Sequence, residues 1–323
     1  MQKLLNGVKV VELVGLAPVP YCGLVLSDFG ADVTLVQKKS SEVVEQRLTR
    51  GKSSIALDLR DKNDLKKVKE LCLTSDVLLD PHRPGVLEKM GLDPIDLLEE
   101  AGHDINYVAL SGMMPTISGK HAERPWPPVN LLADFAGGGL TAAFGIVSAL
   151  LARSHNGGKG CVIDCSMVEG LAYLSSFVTN YYNMSHLWTD PYAAFSGNCP
   201  IYRTYKTKDG KFMAVGALEP KFHQKMFEIL GIDGSDAFGD PEKLTKDMEQ
   251  KFEERTRDEW TQVFLGQDAC VTPVLEIDEV GSFGHHKDRG TFEKNEEYGQ
   301  WIAKPAPRML YLPELVAQRK SKI

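Results

Sequence analysis

The chain has 323 residues and a formal net charge of −7, with 43% hydrophobic and 25% charged residues. This composition is typical of a globular protein with room for two domains, and it excludes extensive disorder. The negative charge excludes a general binder of nucleic acid, because any contact with phosphate must depend on a local basic cluster.

The cysteines and the first residues indicate the compartment. Six cysteines lie in apolar stretches without a CxxC pair: Cys22, Cys72, Cys161, Cys165, Cys199 and Cys270. This spacing is typical of buried thiols in a reducing compartment and predicts no metal site. The start, MQKLLNGVKVVEL, has too short an apolar run for a signal peptide. We therefore do not expect a secreted protein.

Short β-rich runs alternate with helical patterns from residue 8 to residue 81. The runs are VKVVELVG, ADVTLVQ, SSIALDL and SDVLLDP, with a helix beginning near Pro20 and a charged helix over residues 61–73. This rhythm predicts an α/β fold with a doubly wound, Rossmann-like parallel sheet, which binds ligands at its strand ends. The first turn, VELVGLAPVPYCG, has prolines where a dinucleotide-binding loop needs glycines. A nicotinamide or flavin enzyme is therefore not expected.

The middle of the chain breaks this rhythm. The helical pattern DPIDLLEEA runs directly into Gly102 and His103, where another strand and loop are expected, and the run INYVALSG that follows is strand-like. Leu131 to Ala152 then carries one charge, Asp134, and approaches the length of a membrane span. Because a carboxylate at that depth costs about 2.5–3.5 kcal/mol, we predict a buried core helix and no membrane span. GKGCVIDCSMVEG predicts a strand followed by a helix to about residue 184.

The composition changes near residue 190. RTYKTKDGKFMAVGAL predicts two strands about an Asp209-Gly210 turn, followed by helices from Pro220 and from about Asp240 to Phe264, and by the extended run DACVTPVLEI. We predict three regions along the chain: a large α/β domain over 1–189, a smaller α+β domain over 190–300, and a segment over 301–323 that returns to the large domain.

Three acidic residues and one histidine are candidates for chemistry. A carboxylate such as Asp134 is expensive to bury alone, which indicates pairing or function, and the glycines at 137–139 indicate either close packing or clearance for a ligand. Taken alone, His103 is more often a packed side chain than a catalyst. Asp104 has the pattern of a cap or turn residue, and Glu219 that of an acid at a helix start, for which a cationic imidazole would be a partner.

Positive charge also gathers after successive strands. These residues are Lys38, Lys39, Arg47, Arg50, Lys52 and Arg60, followed by Arg83 and Lys89 around HRPGVLEKMG. They form either a solvated surface or a phosphate site, and their places at strand ends favour the phosphate site.

Eight segments together resemble one family. They are VVELVGLAPVPYCG, FGADVTLVQ, RGKSSIALDLR, DVLLDPHRPGVLEKMGL, AGHDINYVALSG, NLLADFAGGGL, GKGCVIDCSMVEG and FMAVGALEP. They resemble the 2-methylacyl-CoA racemases within the family III CoA-transferase (CaiB/BaiF-type) superfamily, and the match runs from about Leu5 to Pro307.

The resemblance implies an isomerase that converts 2-methyl-branched fatty acyl-CoA thioesters from 2R to 2S through an enolate, in branched-chain lipid and bile-acid side-chain oxidation. His103 and Asp134 would be the two bases, the backbone N–H of Asp104 would bind the oxyanion, and Glu219 would hold the imidazole. CoA contacts map onto Lys38, Leu57, Leu59, Arg60, Arg83 and Lys89. CoA is part of the substrate, and no cofactor is required.

The resemblance also implies an interlocked homodimer, with each active site between the large domain of one subunit and the small domain of the other. The chain departs from the family before AGHDINY, where members have a further strand and a Gly-rich loop, and losing a central strand leaves backbone groups unpaired. Two alternatives therefore stay open. One is a family III CoA-transferase in which an Asp attacks the thioester to give a mixed anhydride; the other is a truncated, inactive relative that binds CoA.

The chain ends in RKSKI, close to the S-K-L signal that the peroxisomal import receptor reads. We expect a peroxisomal protein, with the mitochondrion as a second compartment. An ordinary charged tail is the alternative.

Overall fold

The computed structural model describes residues 4–39, 46–82, 86–89, 102–118, 123–234 and 239–309. The contacts divide the chain into two units. The first unit consists of Met1–Ile117, Trp126–Ser176 and Pro305–Ile323, and the second of Ser118–Pro125 and Phe177–Lys304. The fold is mixed α/β with a parallel sheet, as the sequence predicts.

The first unit is built on a four-stranded parallel sheet. Its strands are β1 (Lys9–Leu13), β2 (Asp32–Gln37), β3 (Ser53–Ala56) and β4 (Val77–Leu79), in the order β3-β2-β1-β4. The apolar residues of β1 and β2 are buried, as in parallel sheets covered on both faces. Because the chain runs outward from β1 to β3 and then returns to β4, the strand order reverses between β1 and β4. This is the place where such sheets bind ligands.

Seven α-helices accompany this sheet in the described part of the first unit. They are α1 (Pro18–Asp28), α2 (Lys62–Leu73), α3 (Val86–Lys89), α4 (Asp104–Leu110), α5 (Met114–Ser118), which ends at the unit boundary, α6 (Thr141–Arg153) and α7 (Met167–Leu174). The π-helical segment Leu131–Leu140 runs directly into α6. α2 begins where the sequence predicts because Asp61 Oδ1 accepts the N–H groups of Asn63 and Asp64. The pattern DPIDLLEEA lies outside the described residues.

Two strand predictions are wrong. INYVALSG forms the helix α4, which begins where Asn106 Oδ1 accepts the N–H of His103 and which buries Val108 against the core. Residues 159–166 of GKGCVIDCSMVEG have no regular structure. The helix predicted after them begins as expected with α7, but it ends at Leu174 rather than near residue 184. A strand needs a neighbour for its N–H and C=O groups. Among the described residues, β4 pairs only with β1, and residues 159–166 pair with no strand.

The long apolar helix is buried on one face. Leu131–Arg153 is the one helix of the described chain that is long and apolar enough to cross a membrane, by length and composition alone. Its buried residues are Ala133, Asp134, Gly137, Gly138, Gly139, Ala143 and Ile146. The opposite stripe, Leu140, Phe144, Val147 and Leu151, is exposed in the single chain. The predicted core helix is therefore confirmed for one face only.

The second unit has an antiparallel sheet of order β5-β6-β7 and a two-stranded ribbon. Its strands are β5 (Tyr202–Lys206), β6 (Phe212–Gly216), β7 (Val271–Pro273), β8 (Phe292–Lys294) and β9 (Trp301–Ala303). Its described helices are α8 (Ser176–Tyr181, from the unit boundary), α9 (Ser185–Trp188), α10 (Pro220–Leu230), α11 (Pro241–Glu253), α12 (Arg257–Phe264) and α13 (Gly284–Arg289). Gly210 has φ +77° in the β5–β6 turn, which confirms the predicted hairpin. The buried hydrophobic core of this unit includes Tyr205, Met213, Met226, Met248, Phe252 and Trp260.

Candidate active site

His103 and Asp104 stand together at the start of α4 but in different surroundings. His103 is exposed and has extended backbone angles, and its N–H donates to Asn106 Oδ1 at 3.0 Å. Asp104, the first residue of the helix, is buried with 2% of its surface exposed. The chain thus presents an imidazole at the surface and a carboxylate to the interior at consecutive positions.

The Asp104 carboxylate reaches the helix that carries Asp134. Its Oδ1 accepts the N–H groups of Ala133 and Asp134, both at 2.9 Å. Asp104 therefore lies beside the backbone of Asp134, although thirty positions of chain separate the two residues. Asp134 is itself buried, and Asn130 Nδ2 donates to its Oδ2 at 2.9 Å. The structure thus places the Asp104 side chain against the backbone of Asp134, and His103 is the residue before Asp104 in the chain.

The chain enters this helix through a strained turn. Val129 and Asn130 have φ of 40° and 57°, in the left-handed region. That conformation is unfavourable for a β-branched residue such as Val129. Such strain persists only where surrounding contacts determine the backbone, and it is frequent at functional sites. Here the turn places the Asn130 amide on the Asp134 carboxylate.

The three glycines after Asp134 serve close packing. A Cβ on Gly137 would lie 2.7 Å from the N atom of Leu171, and one on Gly139 would lie 2.7 Å from the O atom of Pro18. A Cβ on Gly170 would overlap the carbonyl of Gly137. Of the two roles the sequence left open, packing against α7 and α1 accounts for these glycines directly.

A buried apolar cluster includes the residue before Asp134. Val108, Met114, Ala133 and Leu171 form this cluster, with Tyr107, Leu132 and Met167 packed against it. Charges interact more strongly beside buried apolar groups than in bulk water.

Four of the six predicted CoA contacts follow the carboxyl ends of β2 and β3. Lys38 is exposed after β2, and Leu57 and Leu59 follow β3, with Leu57 buried. Arg60 forms a bidentate ion pair with Asp58, with Nε and Nη2 each at 3.0 Å from a carboxylate oxygen. A phosphate would compete with this carboxylate for the guanidinium. Arg83 lies outside the described residues, as does the side chain of Lys89, the last residue of α3.

Other cations of the predicted cluster have partners within the protein, among them Arg50, whose Nη2 donates to Asp28 Oδ2 at 2.6 Å. Lys39 binds the Asp64 carboxylate and lowers the pKa of that group to about 2. Lys52 is buried, and its Nζ donates to Glu12 Oε2 at 2.7 Å, so its inclusion in a phosphate-binding surface is wrong. Sequence reasoning missed this pair, although Glu12 inside the apolar strand VKVVELVG was a signal for it.

Glu219 belongs to the second unit. It lies between β6 and α10, directly before the helix. It is exposed, and its carbonyl accepts the N–H groups of Phe222 and His223. The His223 ring is buried, with Nδ1 3.2 Å from the carbonyl of Ala217. The turn that presents Glu219 is therefore fixed on both sides. No group of three or more His, Cys, Asp or Glu suited to a metal ion occurs among the residues that the structure describes.

Comparisons with known proteins give the family. The family model for CoA-transferase family III matches residues 5–101 and 97–312. A CaiB/baiF CoA-transferase family protein of Caenorhabditis elegans is 59% identical over all of both chains, and human alpha-methylacyl-CoA racemase is 44% identical over 96% of this chain and 88% of its own. The solved structure of a CAIB/BAIF family protein from Brucella suis has a TM-score of 0.77 at 21% identity and covers 100% of both chains, so it shares the fold.

The same comparisons show a break before His103. The two matched stretches of the family model meet at residues 97–101. The alignment with the C. elegans protein has 343 positions, more than the 323 residues of this chain. Relatives therefore contain residues that this chain does not, and the model match divides where the sequence pattern predicts a missing strand and loop. With matches over nearly its whole length, the chain belongs to CoA-transferase family III.

Proposed function

We propose that this protein racemises 2-methyl-branched fatty acyl-CoA thioesters at the α-carbon, from 2R to 2S, in branched-chain lipid and bile-acid-type side-chain oxidation. The observation that carries the proposal is the pair of 2.9 Å hydrogen bonds from the backbone of residues 133 and 134 to Asp104, the neighbour of His103. The 44% identity to human alpha-methylacyl-CoA racemase supports the same reaction.

The reaction needs two bases and a stabilised enolate. One of His103 and Asp134 removes the α-proton, and the other, in its protonated form, returns a proton to the opposite face of the carbon. The electron pair of the C–H bond moves into the thioester, and the backbone N–H of Asp104 donates to the oxyanion that forms. The buried apolar cluster that includes Ala133, the neighbour of Asp134, supports a site with little water, in which this stabilisation would be stronger. No step of the reaction requires a metal or redox cofactor.

The proposed function also includes a role for Glu219 and a homodimer. By resemblance, Glu219 orients the imidazole of His103, and the site is completed in a homodimer. The exposed stripe of Leu140, Phe144, Val147 and Leu151 supports a dimer, because contiguous apolar surface on a chain commonly marks a protein interface. By resemblance, the residues that contact the substrate's CoA group are Lys38, Leu57, Leu59, Arg60, Arg83 and Lys89. Of these, Lys38 follows β2, and Leu57, Leu59 and Arg60 follow β3.

Two alternatives have specific support. The family description supports a CoA-transferase, in which an aspartate attacks the thioester and forms a mixed anhydride. The break at residues 97–101 and the lack of a strand at 159–166 support an inactive relative that binds CoA.

Isotope exchange separates the three functions. The protein is incubated with a (2R)-2-methylacyl-CoA in deuterated water, with and without a free carboxylic acid. Deuterium at the α-carbon without the acid is the expected result. Acyl transfer that depends on the acid would support the transferase instead, and CoA binding without either reaction would support the inactive relative.

Variants assign the bases. We expect His103→Ala and Asp134→Ala each to abolish exchange and to leave the Kd for CoA unchanged, because neither residue lies among the proposed CoA contacts. Undiminished exchange in either variant would remove that residue from the mechanism.

We also propose that the terminal SKI triplet, which lies outside the described residues, directs the protein to peroxisomes through the import receptor, with the mitochondrion as a second compartment. Deleting the triplet from a chain with a fluorescent protein at its N-terminus is expected to disperse a punctate signal. A signal that stays punctate after the deletion would contradict this proposal.

A further inference from the structure

The helix that carries Asp134 is capped from outside its own sequence. The first N–H groups of a helix have no acceptor within it and need one elsewhere. Asn130, directly before the segment, makes no side-chain cap, and its amide donates to Asp134 Oδ2. The N–H groups of Ala133 and Asp134 instead donate to Asp104 Oδ1, which α4 supplies.

The Asp104 carboxylate makes this contact with one oxygen only. Oδ1 accepts both bonds, whereas Oδ2 is buried and has no hydrogen-bond partner among the residues that the structure describes. An amide oxygen in the place of Oδ1 could accept the same two bonds. A substitution can therefore remove the charge of residue 104 and still keep an oxygen that accepts both hydrogen bonds.

We infer that the side chain of Asp104 is a positioning residue for Asp134. Its two hydrogen bonds fix the backbone of the proposed base against α4, which also holds His103 and the N–H proposed for the oxyanion. This inference rests on the proposed function for its catalytic consequence. The distance between the two bases then depends on one side chain rather than on the intervening chain, in which the turn at Val129 and Asn130 is strained.

Two substitutions at this position test the inference. Asp104→Asn keeps an acceptor oxygen and loses the charge, whereas Asp104→Ala loses the acceptor. Because a displacement of about 1 Å at a reacting group costs on the order of 100-fold in rate, we expect kcat to fall about 10- to 100-fold in Asp104→Ala. KM should stay near the wild-type value in both variants, and Asp104→Asn should keep kcat within about threefold of wild type.

A measurement without substrate tests the contact itself. Amide hydrogen exchange of the 131–140 segment reports the bonds from Ala133 and Asp134. We expect wild type and Asp104→Asn to protect these amides equally, and Asp104→Ala to exchange them at least about tenfold faster. Equal protection in Asp104→Ala would overturn the inference. It would also be overturned if Asp104→Asn kept the protection but lost turnover as severely as Asp104→Ala, because the charge would then be the essential property.

A matched control separates positioning from a general loss of stability. Asp240 caps α11 with the same chemistry, since its Oδ1 accepts the N–H of Lys243 at 3.0 Å. Asp240→Ala is expected to lower the free energy of unfolding without changing the rate of deuterium exchange at the substrate's α-carbon. If the wild-type protein shows no racemase activity, the proposed function fails, and the amide measurement still decides the role of Asp104.

Discussion

Replacing Lys52 with methionine isolates the buried ion pair of the first unit. Lys52 Nζ contacts Glu12 Oε1 at 2.9 Å, Oε2 at 2.7 Å and the carbonyl of Pro20 at 2.9 Å, and both charged side chains are 1% exposed. The pair ties β1 to the residue before β3 and to the first turn of α1. Methionine keeps most of the side-chain length and removes the charge. Glu12 would then be buried without a cation.

The loss of stability caused by Lys52→Met has an upper limit, because the buried Glu12 carboxylate can take up a proton. Burial raises the pKa of Glu12 from its usual value of 4.5 even beside Lys52, and removing Lys52 raises it further. Protonating a group with a usual pKa of 4.5 at pH 7 costs about 3.4 kcal/mol, at about 1.4 kcal/mol per pH unit. This agrees with the loss of about 3–5 kcal/mol expected when one partner of a buried pair is removed.

The sign of the pH dependence follows from the raised pKa. A group with a higher pKa in the folded state binds more protons there, so its contribution to stability is lost as pH rises. The penalty of Lys52→Met should therefore decrease by about 2 kcal/mol between pH 7 and pH 5.5. Urea unfolding followed by circular dichroism at several pH values measures this change.

Two variants complete the comparison. Lys66→Met removes an exposed lysine from a surface pair with Glu70 and should cost about 0–1 kcal/mol at every pH. The double variant Glu12→Gln/Lys52→Met removes both charges and should show no change in penalty over this pH range. A penalty for Lys52→Met below about 1 kcal/mol, or one that does not change with pH, would refute the reasoning about the buried pair.

Three further predictions concern the site, the packing and the oligomer. Lys89→Ala should raise the Kd for CoA about fivefold, as the loss of about 1 kcal/mol from a phosphate contact implies; an unchanged Kd in calorimetry would remove Lys89 from the binding site. Gly170→Ala should destabilise the protein by about 1–3 kcal/mol in urea unfolding, because its Cβ overlaps the carbonyl of Gly137. A wild-type transition midpoint would contradict this close approach. Phe144→Glu should convert the proposed dimer to a folded monomer in light scattering, since this exposed side chain lies in the apolar stripe; a dimer that persists would place the interface elsewhere.

The pattern before His103 shows what the periodicity of strands and helices can predict by itself. The alternation of strands and helices predicts β1 to β4, and it also predicts a missing strand and loop at the place where the two stretches of the family match meet. The same patterns fail for INYVALSG and GKGCVIDC. Apolar runs of this length fit either a strand or a buried helix, and a strand forms only where a neighbour offers hydrogen bonds.

The amino-acid sequence by itself determined the class of the fold, the hairpin at Gly210, the long helix and the candidates His103, Asp104, Asp134 and Glu219. These depend on local spacing and on the cost of a charge in an apolar run, which a sequence displays. Only the tertiary structure decided that the side chain of Asp104 binds the backbone of Asp134. It also decided that Lys52 forms an ion pair with Glu12 rather than a contact with phosphate. Each contact joins residues at least thirty positions apart, and only the folded chain sets that distance.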